Sequence, residues 1–515
     1  MSYIVKQEIK GRIYLYSVDS YWDKENKQSR QKRTYIGPES PKKSKRKTKT
    51  KEIIYKKYGN VFLLQMILKQ LGLEKILSEL FPDDFKEILA LAFFHICGDG
   101  AMYMFPQWLH EQCDIESNSL HSSEISSLCE KIGASQMSVR NFFEKWIELR
   151  RPSSEIYYDI TSISSYSTNT DFIEWGYNRD KENLPQLNLV LACQKEGTPL
   201  FYQVYPGSIT DVTTLKNTLK QFDYYNLHDV MLVLDRGFCS KANIMDLNDL
   251  KDKLNFIQPM TFSMKKVMQL LKSNRKELKK TETAFKFSEE VLHYVEDTMN
   301  IEETEYRAHL YYNEKAETDL RHDFLSKLLD VKDKISDKIF ETMKDYLEFR
   351  NDTMPEKYLT FFKLNRRSRR IELNFRNIQK HLIKSGYFIL LSNSDKLNKY
   401  NTLEHYRNRD VVEKLFDVGK NELDARRLRA HSQYSSDGRI FIKFIALILH
   451  SQISSIMKKN KLFDRYSLKE LMAELSKIRC SVFGDEEIVS EISKTQRKIL
   501  AAFQITPEMM QKPSY

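Results

Sequence analysis

Apolar residues recur every three to four positions between residues 53 and 150, as in VFLLQMILKQLGL and EILALAFFHICGD, and predict helices. Within that stretch SSLCEKIGASQMSVRNFFEKWIELR predicts two helices broken at Gly133, either a helix-turn-helix or an ordinary helical hairpin. As a helix-turn-helix it would present Gln136, Ser138, Arg140 and Asn141 to DNA. From Glu155 the pattern changes. EIYYDITSI is a strand, LPQLNLVLACQKEGTPLFYQVYPGS a hairpin, and DVTTLKNTLKQF a helix capped by Asp211. The strand DVMLVLDRGF, the helix KANIMDLNDLKD and the strand NFIQPM follow. That order predicts a mixed sheet with helices on its faces, the outline of an RNase H-like core. Residues from about 262 to 395 break the scheme: they are charged, with a long helix near 317–349 and strand-like pieces at YRAHLYYN, KYLTFFKL and GYFILLSN. An inserted subdomain is the expectation. Beyond it RIFIKFIALILHSQISSIM predicts an apolar helix packed on the sheet, and further helices follow at Leu468–Cys480 and Ser493–Phe503.

One helical segment has two distinct faces. In YRNRDVVEKLFDVGK, Tyr406, Arg409, Glu413 and Lys420 fall within a 60° stripe at 100° per residue, while Val411, Val412, Leu415 and Phe416, with Leu423 just beyond, share a separate apolar arc. A carboxylate flanked by two cations and a phenol is suited to a metal and phosphates. The bland alternative is a solvated stripe in which Arg409 and Glu413 form an i,i+4 surface pair, worth a few tenths of a kcal/mol.

Composition adds limits. With 41% hydrophobic and 30% charged residues among 515, the chain reads as a soluble protein of three or more modules. The apolar run FIKFIALIL is short and holds Lys443, so no membrane span is expected, and the N-terminus lacks a signal-peptide core. Six dispersed cysteines without a CxxC pair argue against a zinc site and for a reducing cytosol. Residues 1–60 hold 17 Lys+Arg against 6 Asp+Glu, which equals the whole chain's +11, so the body is balanced and the N-terminal end is basic. Within it PKKSKRKTKTK offers Lys42, Lys43, Lys45, Arg46 and Lys47 to a polyanion, or serves as a solubilising linker.

Two acids stand out by position. Asp159 lies inside a β-branched and aromatic strand, and Asp235 ends an apolar strand before Arg236-Gly237. Carboxylates are depleted from strands and costly to bury unpaired. With Glu413 they would complete the three-carboxylate set that two Mg²⁺ ions need for in-line attack at a phosphodiester.

The residues Tyr406-RN-Arg409-DVV-Glu413-KLFDVG-Lys420 match, position by position, the Y-(2)-R-(3)-E-(6)-K pattern of one family. The chain resembles the DDE transposases of bacterial insertion sequences that carry this Tyr-Arg-Glu-Lys signature. YYDITS, GTPLFYQVYPGSITDVTTL, LDRGF and LRAHSQYSSDGRIFIKFIALIL support the likeness, which covers roughly 155–460. The resemblance implies a mixed α/β fold: an RNase H-like core interrupted by an insertion between the second Asp and the Glu, with helical regions before and after it. It assigns Asp159, Asp235 and Glu413 to catalysis and to two Mg²⁺ ions, with Mn²⁺ able to substitute, and Tyr406, Arg409 and Lys420 to phosphates of the transposon end. In some relatives an insertion aromatic stacks on a flipped base, and Phe361, Phe362, Phe375 and Tyr387 are equal candidates here.

The expected organisation is a basic β-rich segment and linker at 1–52, a helical DNA-binding domain at 53–152 with Arg140 as a contact, and core at 153–261. Insertion follows at 262–395, the second part of the core at 396–460, and C-terminal helices suited to oligomerisation at 461–515. The expected activity is metal-dependent cleavage at terminal inverted repeats and joining of the 3′-OH to target DNA, by a homodimer in the bacterial cytoplasm, at the nucleoid when bound. Rivals are an RNase H-like nuclease or resolvase without strand transfer, and a domesticated DNA-binding protein.

Overall fold

The computed structural model describes residues 2–39, 53–98, 100–152, 155–167, 170–250, 252–335, 338–365, 367–483 and 486–511. The basic run holding Lys42, Lys43, Lys45, Arg46 and Lys47 lies outside them. The chain forms two compact units, residues 1–54 with 483–485 and residues 55–482 with 486–515.

The first unit is an antiparallel sheet of Ser2–Ile9, Arg12–Asp23 and Gln28–Pro38. Its first turn is Lys10-Gly11, with φ of 49° and 72°, the left-handed pair whose twist suits a two-residue hairpin. Tyr3, Tyr21, Trp22 and Tyr35 are exposed on it.

The second unit is built on one large mixed sheet with helices around it. Its strands are β1 (Glu155–Ser165), β2 (Gln186–Gln194), β3 (Pro199–Pro206), β4 (Val230–Val233), β5 (Leu254–Pro259), β6 (Ala284–Phe287), β7 (Glu290–Ile301), β8 (Thr304–Tyr312) and β9 (Tyr387–Ser392), in the order β6-β7-β8-β9-β5-β4-β1-β2-β3. β1, β2 and β3 form an antiparallel meander, while β4 runs parallel to β1 and β5 parallel to β4. The later strands do not stand apart: β9 pairs antiparallel with β5 and carries β8, β7 and β6 outward. A short strand, β10 (Arg427–Leu428), runs parallel to the end of β1 at Ser164 and Ser165.

The helix expected near 317–349 is two helices, Glu314–Ile335 and Met343–Thr353. Thr342 starts the second one: its hydroxyl accepts from the Asp345 N–H and its own N–H donates to the Asp345 carboxylate, each at 3.1 Å. These helices pack on Phe361 and Ile378 in a small core of their own. KYLTFFKL is mostly a 3₁₀ turn, Glu356–Phe361, with only Phe362–Leu364 in a strand.

One helix ties the sheet to the N-terminal helices. Gln433–Lys459 is long and apolar enough to cross a membrane by length and composition, yet 72% of its apolar window is buried inside the unit. It is apolar nearly all round because the N-terminal helices and the sheet bury it nearly all round. Phe441 meets Phe142 and Phe81, and Phe444 meets Phe143 and Tyr202 of β3. Gly133 does not break a helix, as its sequence suggests; it lies within Ser122–Ala134, and the break falls at Ser135. Its glycine is needed for approach. A Cβ there would lie 1.9 Å from the Tyr434 carbonyl oxygen, and one at Gly438 2.0 Å from that of Cys129. Trp146 of the Gln136–Arg150 helix adds a buried bond, donating its indole N–H to the Pro199 carbonyl at 2.8 Å. The N-terminal helices therefore share one core with the sheet.

Candidate active site

Parallel pairing of β1 with β4 sets Glu155 against Met231, Ile156 against Leu232 and Tyr157 against Val233. Carried two residues on, that register brings Asp159 beside Asp235. Alternation along β1 then separates functions. Tyr158 is fully buried on the face where its hydroxyl meets Thr218 at 2.9 Å. Asp159 points to the opposite face, toward the Asp410–Asn421 helix.

The segment Tyr406–Lys420 is not one straight helix. Lys399–Arg407 ends at Asn408, and Asp410–Asn421 starts after Arg409. Around the break the Arg409, Val411 and Val412 N–H groups bond three residues back, to Tyr406, Asn408 and Arg409. That tightened turn aims Arg409 inward. Its side chain is only 18% exposed, so it is no surface partner of Glu413. Arg409 Nη1 lies 3.0 Å from Asp235 Oδ1 and 3.8 Å from Asp159 Oδ2, and Nη2 lies 2.6 Å from Glu413 Oε1. One guanidinium thus stands among three carboxylates from a strand, a strand end and a helix.

Each aspartate has its other oxygen held by backbone. Asp159 Oδ1 accepts from the Ile160 N–H at 2.8 Å, and Asp235 Oδ2 accepts from the Gly237 N–H at 3.4 Å. The Asp235 carbonyl accepts from Gln258 Nε2 at 3.0 Å. Burial pushes the Asp159 carboxyl up to about 7, and the Asp235 charge adds to this against the Ile160 N–H, Arg409 and Arg179. Burial lowers the Arg409 pKa, but the charges of Asp235, Asp159 and Glu413 outweigh it, and the net direction is upward.

Two further residues complete the neighbourhood: Arg179, which the sequence did not single out, and Asp211, which it offered only as a helix cap. Arg179 pairs with Asp211, the first residue of the Asp211–Tyr224 helix, whose cap is Thr210. A Cβ on Gly237 would lie 2.7 Å from Asp211 Oδ2 and 3.7 Å from Asp235 Oδ2, so Asp211 stands directly beside the triad. Their signal in the sequence is slight: a loop arginine and a helix-start aspartate are among the commonest polar placements.

Lys420 is 13% exposed and pairs with Asp180 at 2.6 Å. Tyr406 lies on the preceding helix, its ring 6.3 Å from that of Phe388, and lines a cavity of 820 Å³ with Arg236 and Arg407. Arg426 and Arg427 both pair with Glu182. Arg140 stacks on Tyr224, with its guanidinium carbon 3.5 Å from the ring centroid. Of the four insertion aromatics, Phe361, Phe362 and Tyr387 are buried and Phe375 is 66% exposed.

The profile of a family described as Transposase DDE domain matches residues 150–449, more than half of the chain. No curated protein matches the sequence. Among solved structures, a piggyBac transposase synaptic complex with hairpin DNA is similar at a TM-score of 0.36 and 11% identity, over 87% of this chain and 82% of that one. That likeness is too low to add to the family match.

Proposed function

This chain belongs to the Transposase DDE domain family, and from that premise we propose that it binds the ends of an insertion sequence, cleaves them and joins the freed 3′-OH to target DNA. The observation that carries the proposal is the Arg409 guanidinium held by Asp159, Asp235 and Glu413 together. The strand order β3-β2-β1-β4-β5, an antiparallel meander followed by two parallel strands, supports an RNase H-like reading of the core. The segment between Asp235 and Glu413, which extends the sheet through β9, fits the expected insertion.

The donor set fits divalent metal. Asp159, Asp235 and Glu413 supply hard carboxylate oxygens, and a cation already sits among them in the form of Arg409. When bound, Mg²⁺ or Mn²⁺ would supply Lewis acidity and charge neutralisation at a phosphodiester. The chain's own residues do the rest. The Ile160 and Gly237 N–H groups fix one oxygen of each aspartate and leave the other turned to the centre. Asp159 holds a proton up to about pH 7 when no added positive charge is present. Arg409, once its carboxylates are otherwise neutralised, is free to meet a DNA phosphate, and Lys420 can exchange Asp180 for another. Tyr406, at the edge of the basic cavity, is the third phosphate contact.

The test is cleavage of DNA bearing the element's terminal inverted repeats, in Mg²⁺ and in Mn²⁺. Asp159→Asn, Asp235→Asn and Glu413→Gln should each abolish cutting while end binding persists; cutting at the wild-type rate would refute the assignment. Joining of pre-cut ends to a target plasmid separates a transposase from a nuclease without strand transfer. Cross-linking on paired ends tests the homodimer.

A further inference from the structure

The six cysteines are scattered along the sequence, and their spacing argues against a metal site. The fold reverses that for two of them. Cys113, Cys480 and Glu487 each bring one donor atom within 4.8 Å of the other two. Both cysteines are buried, and neither is in a disulfide. We propose that Cys113, Cys480 and Glu487 form a structural site for a borderline-soft divalent cation, zinc by its donor chemistry.

The three residues come from separate segments, each fixed by backbone bonds. The Cys113 N–H donates to the Lys57 carbonyl at 2.8 Å, and the Tyr58 N–H to the Ile478 carbonyl at 3.0 Å. The loop bearing Cys113 and the strand bearing Cys480 are thereby tied to consecutive residues. Cys480 and Glu487 lie in Arg479–Phe483 and Glu486–Val489, adjacent strands of one sheet. The Ser490 N–H donates to the Arg479 carbonyl at 2.8 Å, and the Arg479 N–H to the Ser490 hydroxyl at 3.0 Å.

Buried cysteines are common in cores and usually need no ligand. What distinguishes this pair is a carboxylate oxygen close to both sulfurs. Two thiolates and one carboxylate supply three of the four tetrahedral positions that zinc takes, and water can fill the fourth. Two sulfurs select against Mg²⁺, so the site is chemically separate from the oxygen-only triad. Binding releases both thiol protons to solvent and leaves a site that fastens the C-terminal hairpin to the N-terminal helical region.

The test uses the full chain, purified under reducing conditions and stripped with a chelator. Titration with Co²⁺ should give a sulfur-to-cobalt charge-transfer band saturating at one ion per chain, and equimolar Zn²⁺ should bleach it. The carboxylate triad cannot produce that band. Cys480→Ser should lose it, while Glu487→Gln should keep it with at least a tenfold weaker affinity. Should Cys480→Ser fail to fold, alkylation of the wild-type chain serves instead: Zn²⁺ should protect Cys113 and Cys480 at least tenfold and chelation should undo this. Absence of the band, an unchanged band in Cys480→Ser, or alkylation indifferent to Zn²⁺ would each overturn the proposal.

Discussion

Asp159→Asn should make the metal-free protein more stable at pH 8, although it removes the residue proposed to be central to catalysis. The carboxyl of Asp159 ordinarily titrates at 3.8 and in the folded chain at about 7. The native state therefore binds a proton that the unfolded chain has already released, and stability falls as pH rises between those values. Below about 4 both states are protonated and the effect vanishes; above about 7 both are ionised and it is complete. Three units at 1.36 kcal/mol each give an upper bound on the order of 4 kcal/mol. An amide of the same shape cannot ionise and escapes the penalty. Denaturant unfolding of wild type and Asp159→Asn, both stripped of metal, should show a gap that widens from pH 4 to pH 7 and then levels off. Saturating Mn²⁺ should close the gap for wild type alone, and the wild-type affinity for Mn²⁺ should rise about tenfold per pH unit until the same plateau. A variant less stable than wild type at pH 8, or a gap indifferent to pH, would refute the reasoning.

Arg409→Ala should push the Asp159 titration still higher, because Arg409 is one of the groups holding it down; the plateau of the same pH series should then move above 7. Gly237→Ala places a methyl group 2.7 Å from Asp211 Oδ2, and should slow end cleavage at least tenfold with unfolding stability unchanged within about 1 kcal/mol, since a side chain rather than backbone must move. Gly438→Ala gains about 1 kcal/mol in helix propensity, yet its Cβ would lie 2.0 Å from the Cys129 carbonyl oxygen; urea unfolding should show a net loss of roughly 2–4 kcal/mol.

What the sequence revealed and what it hid divide along a physical line. Asp159 is visible because a carboxylate inside a strand of β-formers is costly, and Asp235 because it ends an apolar run. The order of β1 to β5 follows from period-two runs separated by turn and helix signals. Arg179 was invisible because nothing local marks it, and Asp211 was legible only as a helix cap; its place beside the site comes from Gly237, which lets it approach. The kink at Asn408–Arg409 was hidden for a related reason. A helical wheel treats residues 406 to 420 as one cylinder, and only the three carboxylates around Arg409 show why the turn tightens there. Pairing of β9 with β5 and the meeting of Cys113 with Cys480 are long-range events that spacing along a chain does not encode.

The path by which Glu413 reaches the aspartates has a consequence for how the site is assembled. Asp159 and Asp235 precede the long excursion through β6, β7, β8 and β9, and Glu413 follows it. A ribosome that has delivered everything through β5 has made a sheet with two of the three carboxylates and none of Arg409. Fragments clipped within the excursion part Asp159 and Asp235 from Arg409 and Glu413. The guanidinium and its three carboxylates can meet only in a chain that carries the whole excursion.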